Sequence, residues 1–66
     1  MLITVNGKVQ DVQEGCDLLA YVRKLGLDEK AIVAELNGFI VDHDSFAKIT
    51  LHENDTLELL HFVGGG

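Results

Sequence analysis

The sequence contains no proline, no tryptophan and a single cysteine among its 66 residues. With Cys16 alone, an internal disulfide and a metal site made only of cysteines are both excluded. Basic residues are scarce too, with 5 Lys+Arg against 11 Asp+Glu, which gives a formal net charge of −6. Nucleic acids and anionic membranes attract basic surfaces, so neither is expected as a partner. The composition instead favours a protein partner with a basic surface.

Long apolar stretches are also missing, since no run approaches the roughly 18 residues needed to span a membrane. The first residues show no basic stretch followed by a long apolar one, so no secretory signal is recognised and a cytoplasmic location is expected. Hydrophobic residues form 47% of the chain and charged residues 24%, which is typical of a folded domain. A chain of this length predicts one small domain without room for a deep catalytic cleft.

Turn signals and hydrophobic periodicity predict an α+β domain. Asn6-Gly7, between two short extended segments, predicts a β-hairpin, and Asn37-Gly38 predicts a turn between the extended segments 31–36 and 39–41. A helix is predicted over residues 17–25, with Asp17 as a candidate cap and Gly26 as the stop. The polar residues 42–45 indicate a loop, and Phe46 is expected to return to the core from a short turn. Other extended segments are predicted over residues 31–36, 39–41, 49–51 and 56–63. Together these elements predict a mixed sheet of four to five strands with one main helix across one face.

The last predicted strand has apolar residues on both of its faces. Leu57 and Leu59 are assigned to the core, because Glu58 marks the other face as solvated. Leu60 and Phe62 then lie on the outer face, and Val63 follows them. One helix covers only one face of a sheet, so these residues are expected to form a docking patch for a partner. A strand buried on both sides is the alternative.

Gly64, Gly65 and Gly66 end the sequence. A frayed end is the ordinary explanation for such residues. Three residues without Cβ atoms are, however, thin enough to enter a narrow channel and to present a sterically open carboxylate. A carboxylate is a poor electrophile and needs activation, most simply adenylation by ATP. No phosphate-binding glycine loop and no nucleophile–base pair is recognised in the sequence, so another protein is expected to perform this step.

These features resemble the β-grasp, ubiquitin-like fold and, within it, the ThiS family of sulfur carriers of thiamin thiazole biosynthesis. The resemblance covers the whole chain, as a domain over residues 1–63 followed by a flexible glycine tail over residues 64–66. It is carried by Asn6-Gly7 in the first hairpin, by residues 17–19 and by residues 34–38. The closing residues 54–66 are its most specific part.

The resemblance implies a mechanism in which the chain is a protein co-substrate and not an enzyme. An E1-like, ThiF-type enzyme would use ATP to adenylate the carboxylate of Gly66. Sulfur from a cysteine desulfurase or another persulfide donor would then give a thiocarboxylate, from which a ThiG-type thiazole synthase takes the sulfur. Gly64 and Gly65 would supply reach, while Leu60 and Phe62 would contact both enzymes. No bound cofactor is implied.

Three other functions share parts of this pattern. The small subunit of molybdopterin synthase has the same fold and a Gly-Gly end. A ubiquitin-like modifier uses the same activated carboxylate but forms an isopeptide bond. A β-grasp interaction module would have an inert tail. The chemical state of Gly66 and the enzyme that binds the chain distinguish these functions.

The remaining reactive side chains have simpler explanations. Cys16, near the start of the helix, could relay sulfur, but a partly buried small residue is expected there. The spacing of His43, His52 and His61 matches no metal-ligand pattern, and the first two are expected to be solvated. The scattered acidic residues are expected to form a solvated surface.

Overall fold

A computed structural model describes residues 1–61 of the chain. It contains five strands, one α-helix and two 3₁₀ helices, in the predicted order. In chain order these are β1 Leu2–Val5, β2 Lys8–Asp11, α1 Leu18–Lys24, the 3₁₀ helix Glu29–Ala31, β3 Ile32–Leu36, β4 Phe39–Val41, the 3₁₀ helix His43–Lys48 and β5 Thr56–His61.

The five strands form one mixed sheet in the order β2-β1-β5-β3-β4. β5 comes last in the chain but lies at the centre of the sheet. It runs parallel to β1, with Thr4 opposite Thr56, and antiparallel to β3, with Val33 opposite Leu60. The predicted β-grasp fold, a mixed sheet with one main helix, is confirmed.

Both Asn-Gly pairs form the predicted hairpin turns. The φ angles are 49° at Asn6 and 82° at Gly7, and 51° at Asn37 and 88° at Gly38. Type I′ turns require positive φ at both central residues, and asparagine and glycine tolerate this conformation better than other residues do. Local sequence therefore fixes the hairpins β1–β2 and β3–β4.

The helix α1 also begins and ends where the sequence predicts. The Asp17 carboxylate accepts a hydrogen bond of 2.7 Å from the Ala20 amide and caps the first turn. Gly26 follows the helix with a φ of 79°. Leu18 and Val22 on the inner face of α1 are fully buried against the sheet, so the helix covers one face only.

The segment between β4 and β5 differs from the predicted loop. Residues His43–Lys48 form a 3₁₀ helix, with a hydrogen bond of 2.9 Å from the Ser45 amide to the Asp42 carbonyl. This turn directs Phe46 into the core, as predicted, where its exposed fraction is 0%. In the predicted extended segment 49–51, only Thr50 pairs with another residue, and it forms an isolated bridge with Asp17. The pairing extends no further because the chain enters α1 directly after Asp17.

Phe46 and Phe39 allow a matched test of the core. We expect Phe46→Ala to lower the free energy of unfolding by about 3–5 kcal/mol, because the change leaves a cavity. Phe39 is 76% exposed, so Phe39→Ala is expected to change that free energy by less than about 0.5 kcal/mol. Urea unfolding of both variants measures the difference. Equal losses would contradict this assignment of the core.

Candidate functional site

The face of the sheet turned away from α1 has no element of the described chain packed on it; we call it the open face. β5 shows the two faces most clearly, since Leu57 and Leu59 are buried while Glu58 and Leu60 are exposed. The exposed fraction of Leu60 is 64%. The sequence-based assignment of these residues to the two faces is therefore confirmed.

Leu60 belongs to a strip of apolar side chains that crosses three strands of the open face. Val33 on β3 lies directly opposite Leu60, and Ile40 on β4 lies diagonally next to Val33. Cross-strand neighbours have Cβ atoms about 5 Å apart and diagonal neighbours about 7–8 Å apart, so the three side chains are contiguous. Ile40 is 72% exposed. We call Leu60, Val33 and Ile40 the apolar strip.

Two carboxylates lie beside the apolar strip. Glu58 on β5 is directly opposite Glu35 on β3, and both point to the open face. The ion pairs of residues 1–61 join the N-terminal amine to Asp11 and Arg23 to Glu29, so neither Glu35 nor Glu58 has a cationic partner there. Like charges placed opposite each other on neighbouring strands are destabilising. We call Glu35 and Glu58 the acidic pair, and we expect their repulsion to lower the free energy of unfolding slightly.

Every basic side chain of the chain lies away from the open face. Lys8 is opposite the core residue Val5 at the edge of the sheet. The other four lie in α1 and the 3₁₀ helices: Arg23, Lys24, Lys30 and Lys48. The open face of the described chain thus combines apolar surface with uncompensated negative charge. Such a surface fits a protein partner with apolar and basic groups.

Leu60 is the only predicted site residue whose position the structure describes. Predictions for Phe62, Val63, Gly64, Gly65 and Gly66 concern residues outside the described part of the chain and stay predictions. His61, the last described residue, is exposed and lies opposite Ile32 at the end of β5. β5 therefore leads from the centre of the sheet directly into the segment that carries these residues.

Sequence reasoning missed Val33, Ile40 and the pairing of Glu35 with Glu58. The alternation along β3 and β4 indicates which residues share a face, but the neighbours of β5 are known only from the fold. The exact register, which sets the two glutamates opposite each other, requires the structure.

Cys16 and the histidines lie elsewhere. Cys16 is half-buried before α1, as expected, with its Sγ 3.4 Å from the Asp17 carbonyl oxygen. His43 is exposed, but it is not simply solvated, because its Nε2 lies 2.9 Å from the Ile32 carbonyl oxygen and its ring forms a T-shaped pair with the ring of Phe46. Since a carbonyl only accepts, this Nε2 is the donor. Within residues 1–61, no three His, Cys, Asp or Glu side chains are grouped to hold a metal ion.

The shifted pKa values belong to groups on the helical side of the sheet. Burial raises the pKa of the Tyr21 hydroxyl, and charge repulsion from a negatively charged Cys16 sulfur adds to the rise. A backbone hydrogen bond and then the hydrogen bond from Arg23 lower the pKa of Glu29. Neither group lies on the open face. No helix in residues 1–61 is long and apolar enough to span a membrane.

Reversing one charge of the acidic pair tests its cost for folding. Glu58→Lys replaces a like-charge pair with a favourable one opposite Glu35. Glu14→Lys changes the net charge equally, at an exposed turn position. We expect Glu58→Lys to be more stable than Glu14→Lys by about 1 kcal/mol at low salt, and the difference to shrink at high salt. Denaturant unfolding at two salt concentrations measures this. Equal stability at low salt would show that the two carboxylates do not interact.

A family model, a curated relative and a solved structure all indicate the same protein family. Residues 3–66 match the ThiS family. The sulfur carrier protein ThiS of Bacillus subtilis is 32% identical, over 98% of this chain and 100% of its own. The crystal structure of the thiamine biosynthesis protein ThiS from Geobacter metallireducens superposes with a TM-score of 0.84, at 32% identity and with full coverage of both chains.

Two thiazole synthases are similar to this chain as well. The enzymes of Paramagnetospirillum magneticum and Magnetococcus marinus are each 30% identical over all 66 residues. The chain spans only 20% of the length of each enzyme. A segment resembling this whole domain is thus part of proteins named as thiazole synthases.

Proposed function

Because the chain belongs to the ThiS family, we propose that it is a sulfur carrier of thiamin biosynthesis. The observation that carries this proposal is the family match, which runs through the folded domain and on to residue 66. Similarity to two thiazole synthases supports the thiazole of thiamin as the destination of the sulfur. A carrier of molybdopterin synthesis is the alternative that the experiments below distinguish.

The proposed chemistry takes place at the carboxylate of Gly66. An E1-like, ThiF-type enzyme transfers the adenylyl group of ATP to this carboxylate and releases pyrophosphate. Sulfur from a cysteine-derived persulfide then replaces AMP, with a thiol as the reductant, and leaves a thiocarboxylate. A ThiG-type thiazole synthase accepts this sulfur. The chain is the protein co-substrate of these enzymes, which we place in the cytoplasm, and ATP is consumed by the activating enzyme.

The open face is the proposed docking surface for these enzymes. The apolar strip offers contiguous exposed surface at the end of β5 that leads into the tail. Phe62 and Val63 are proposed to extend this surface. The uncompensated charge of Glu35 and Glu58 is proposed to meet a basic group of the partner. Docking here would deliver Gly64, Gly65 and Gly66 to an active site while the core stays folded.

Intact mass tests the proposed chemistry. The chain is purified from cells with an active thiamin pathway, and its mass also reports whether Gly66 is the last residue. We expect a gain that corresponds to one oxygen replaced by sulfur, confined to the C-terminal peptide. The same nominal gain in the peptides of Met1 or Cys16 would be ordinary oxidation. A variant lacking Gly65 and Gly66 is expected to fold normally and to remain unmodified.

Two results of that experiment would contradict the proposal. One is a C-terminal peptide that stays unmodified in cells and is also inert towards ATP and a ThiF-type enzyme. The other is an isopeptide bond to a lysine, which would indicate a protein modifier.

Leu60→Asp tests the docking surface. A charge placed in the apolar strip must be desolvated on binding, so we expect affinity for the ThiF-type enzyme to fall at least tenfold. The new carboxylate lies diagonally from Glu35, so we expect a loss of stability of about 1 kcal/mol, which leaves the domain folded. Leu25→Asp is the matched control, because Leu25 is 47% exposed next to α1, away from the open face, and gains the same charge. Calorimetric titration measures both affinities. Equal losses would show that net charge, not the apolar strip, governs binding.

A further inference from the structure

β5 extends beyond the strand that pairs with it on one side. β1 pairs with β5 only through Thr4 opposite Thr56 and Val5 opposite Leu57. After Val5 the chain turns away into the β1–β2 hairpin, whereas β5 continues to His61. On the other side, β3 accompanies β5 as far as the pair of Ile32 with His61. The part of β5 nearest the tail therefore has a continuous strand partner on one side only.

The side chain of Asn6 fills the missing place beside β5. The Leu59 amide donates a hydrogen bond of 2.8 Å to Asn6 Oδ1, and Asn6 Nδ2 donates one of 3.2 Å to the Leu59 carbonyl. Preceding bonds of the ladder run from the Thr4 amide to Asp55 and from the Asn6 amide to Leu57. These bonds involve alternate residues, Asp55 and Leu57, and Leu59 is the next residue in that series. The carboxamide thus takes the place of a peptide group of β1.

The turn by itself does not require this interaction. Gly7 supplies one positive φ, and glycine or aspartate would also accept the φ of 49° at Asn6. Among these residues, asparagine offers both a donor and an acceptor at neutral pH, whereas the aspartate carboxylate only accepts and glycine has no side chain. In a strand, successive amides point to opposite neighbours, so the Leu59 amide faces Asn6 while the Leu60 amide faces β3. In residues 1–61, Asn6 is the partner of the Leu59 peptide groups on that side.

We propose that Asn6 is a positioning residue that holds Leu59 in the sheet and thereby sets the direction in which the tail leaves β5. This inference rests on the proposed function, since the tail must reach the active site of another protein. In this arrangement the open face determines how strongly the partner binds, and Asn6 determines how well the docked carboxylate is aligned.

Hydrogen exchange of single amides tests the contact itself. Asn6→Gly keeps the turn and removes the carboxamide, so we expect exchange of the Leu59 amide to accelerate at least tenfold. The Leu60 amide, bound to β3, is expected to be unchanged. Asn37→Gly is the matched control, because Asn37 has a φ of 51° and its Oδ1 accepts a bond of 2.8 Å from the Thr56 amide. That variant is expected to affect Thr56, at the start of β5, and not Leu59.

A conservative variant separates the two bonds that Asn6 makes. Asn6→Asp retains an acceptor for the Leu59 amide but places a carboxylate against the Leu59 carbonyl at neutral pH. Protonation below about pH 4 converts this carboxylate into a donor. Protection of the Leu59 amide, corrected for intrinsic exchange, is therefore expected to recover as the pH falls through this range. A purely structural effect of the substitution would show no such recovery.

Steady-state kinetics with a ThiF-type enzyme and ATP, followed by pyrophosphate release, test the consequence. We expect Asn6→Gly to lower kcat about tenfold with little change in KM, since misalignment affects the docked complex. Asn37→Gly is expected to leave both constants unchanged.

The results separate this proposal from the proposed function. Unchanged exchange at Leu59 in Asn6→Gly, or equal losses of kcat in Asn6→Gly and Asn37→Gly, would overturn the role of Asn6. A wild-type chain that is not adenylated would overturn the sulfur-carrier function, and the exchange data would still decide whether Asn6 holds Leu59.

Discussion

The position of β5 between β1 and β3 is the constraint on which the rest of the structure depends. Its hydrogen bonds join the N-terminal hairpin to the β3–β4 hairpin. Its inward side chain Leu57 is fully buried, and Leu59 is nearly so. The last strand of the chain thus completes the sheet and the core together. The segment that follows His61 is therefore attached to the central strand of the sheet.

In the proposed function, the part of the chain that folds is separate from the part that reacts. The core needs only the inner side chains of β5, which belong to the same buried cluster as Leu18, Val22 and Phe46. The outer side chains are not needed for the core and can contact a partner. Stability of the fold alone would not favour placing Glu58 opposite Glu35. For the proposed docking to more than one enzyme, a folded domain with an exposed apolar strip is an advantage. The proposed chemistry requires only the short segment of Gly64, Gly65 and Gly66, which have no side chains.

Much of the fold is encoded locally and could be predicted from the sequence. Asn6-Gly7 and Asn37-Gly38 fix two hairpins, Asp17 and Gly26 bound the helix, and the alternation along β5 separates Leu60 from the core. The parts of the fold that the sequence did not predict depend on non-local contacts. The 3₁₀ helix His43–Lys48 forms where Phe46 enters the core. Its polar residues are also typical of a loop, so the sequence alone did not predict a helix there.

The candidate site was predictable to a smaller extent. The side chain of Leu60 could be assigned to a face from its neighbours in sequence. The apolar strip and the acidic pair could not, because both require the register of three strands that are distant in the chain. The hydrogen bonds from Asn6 to Leu59 could not be predicted for a different reason. The turn already explains why an asparagine stands at position 6, so the sequence does not indicate a second role. Phe62, Val63 and the three glycines remain predictions from sequence and family resemblance.

Sulfur transfer in a reconstituted system tests the central claim most directly. The chain would be converted to its thiocarboxylate with isotopically labelled sulfur and mixed with a ThiG-type thiazole synthase and its small-molecule substrates. We predict that the label leaves Gly66 and appears in the thiazole product, one sulfur for each chain consumed. Label that stays on the chain with thiazole synthase, but is transferred by a molybdopterin synthase large subunit, would contradict a role in thiamin biosynthesis.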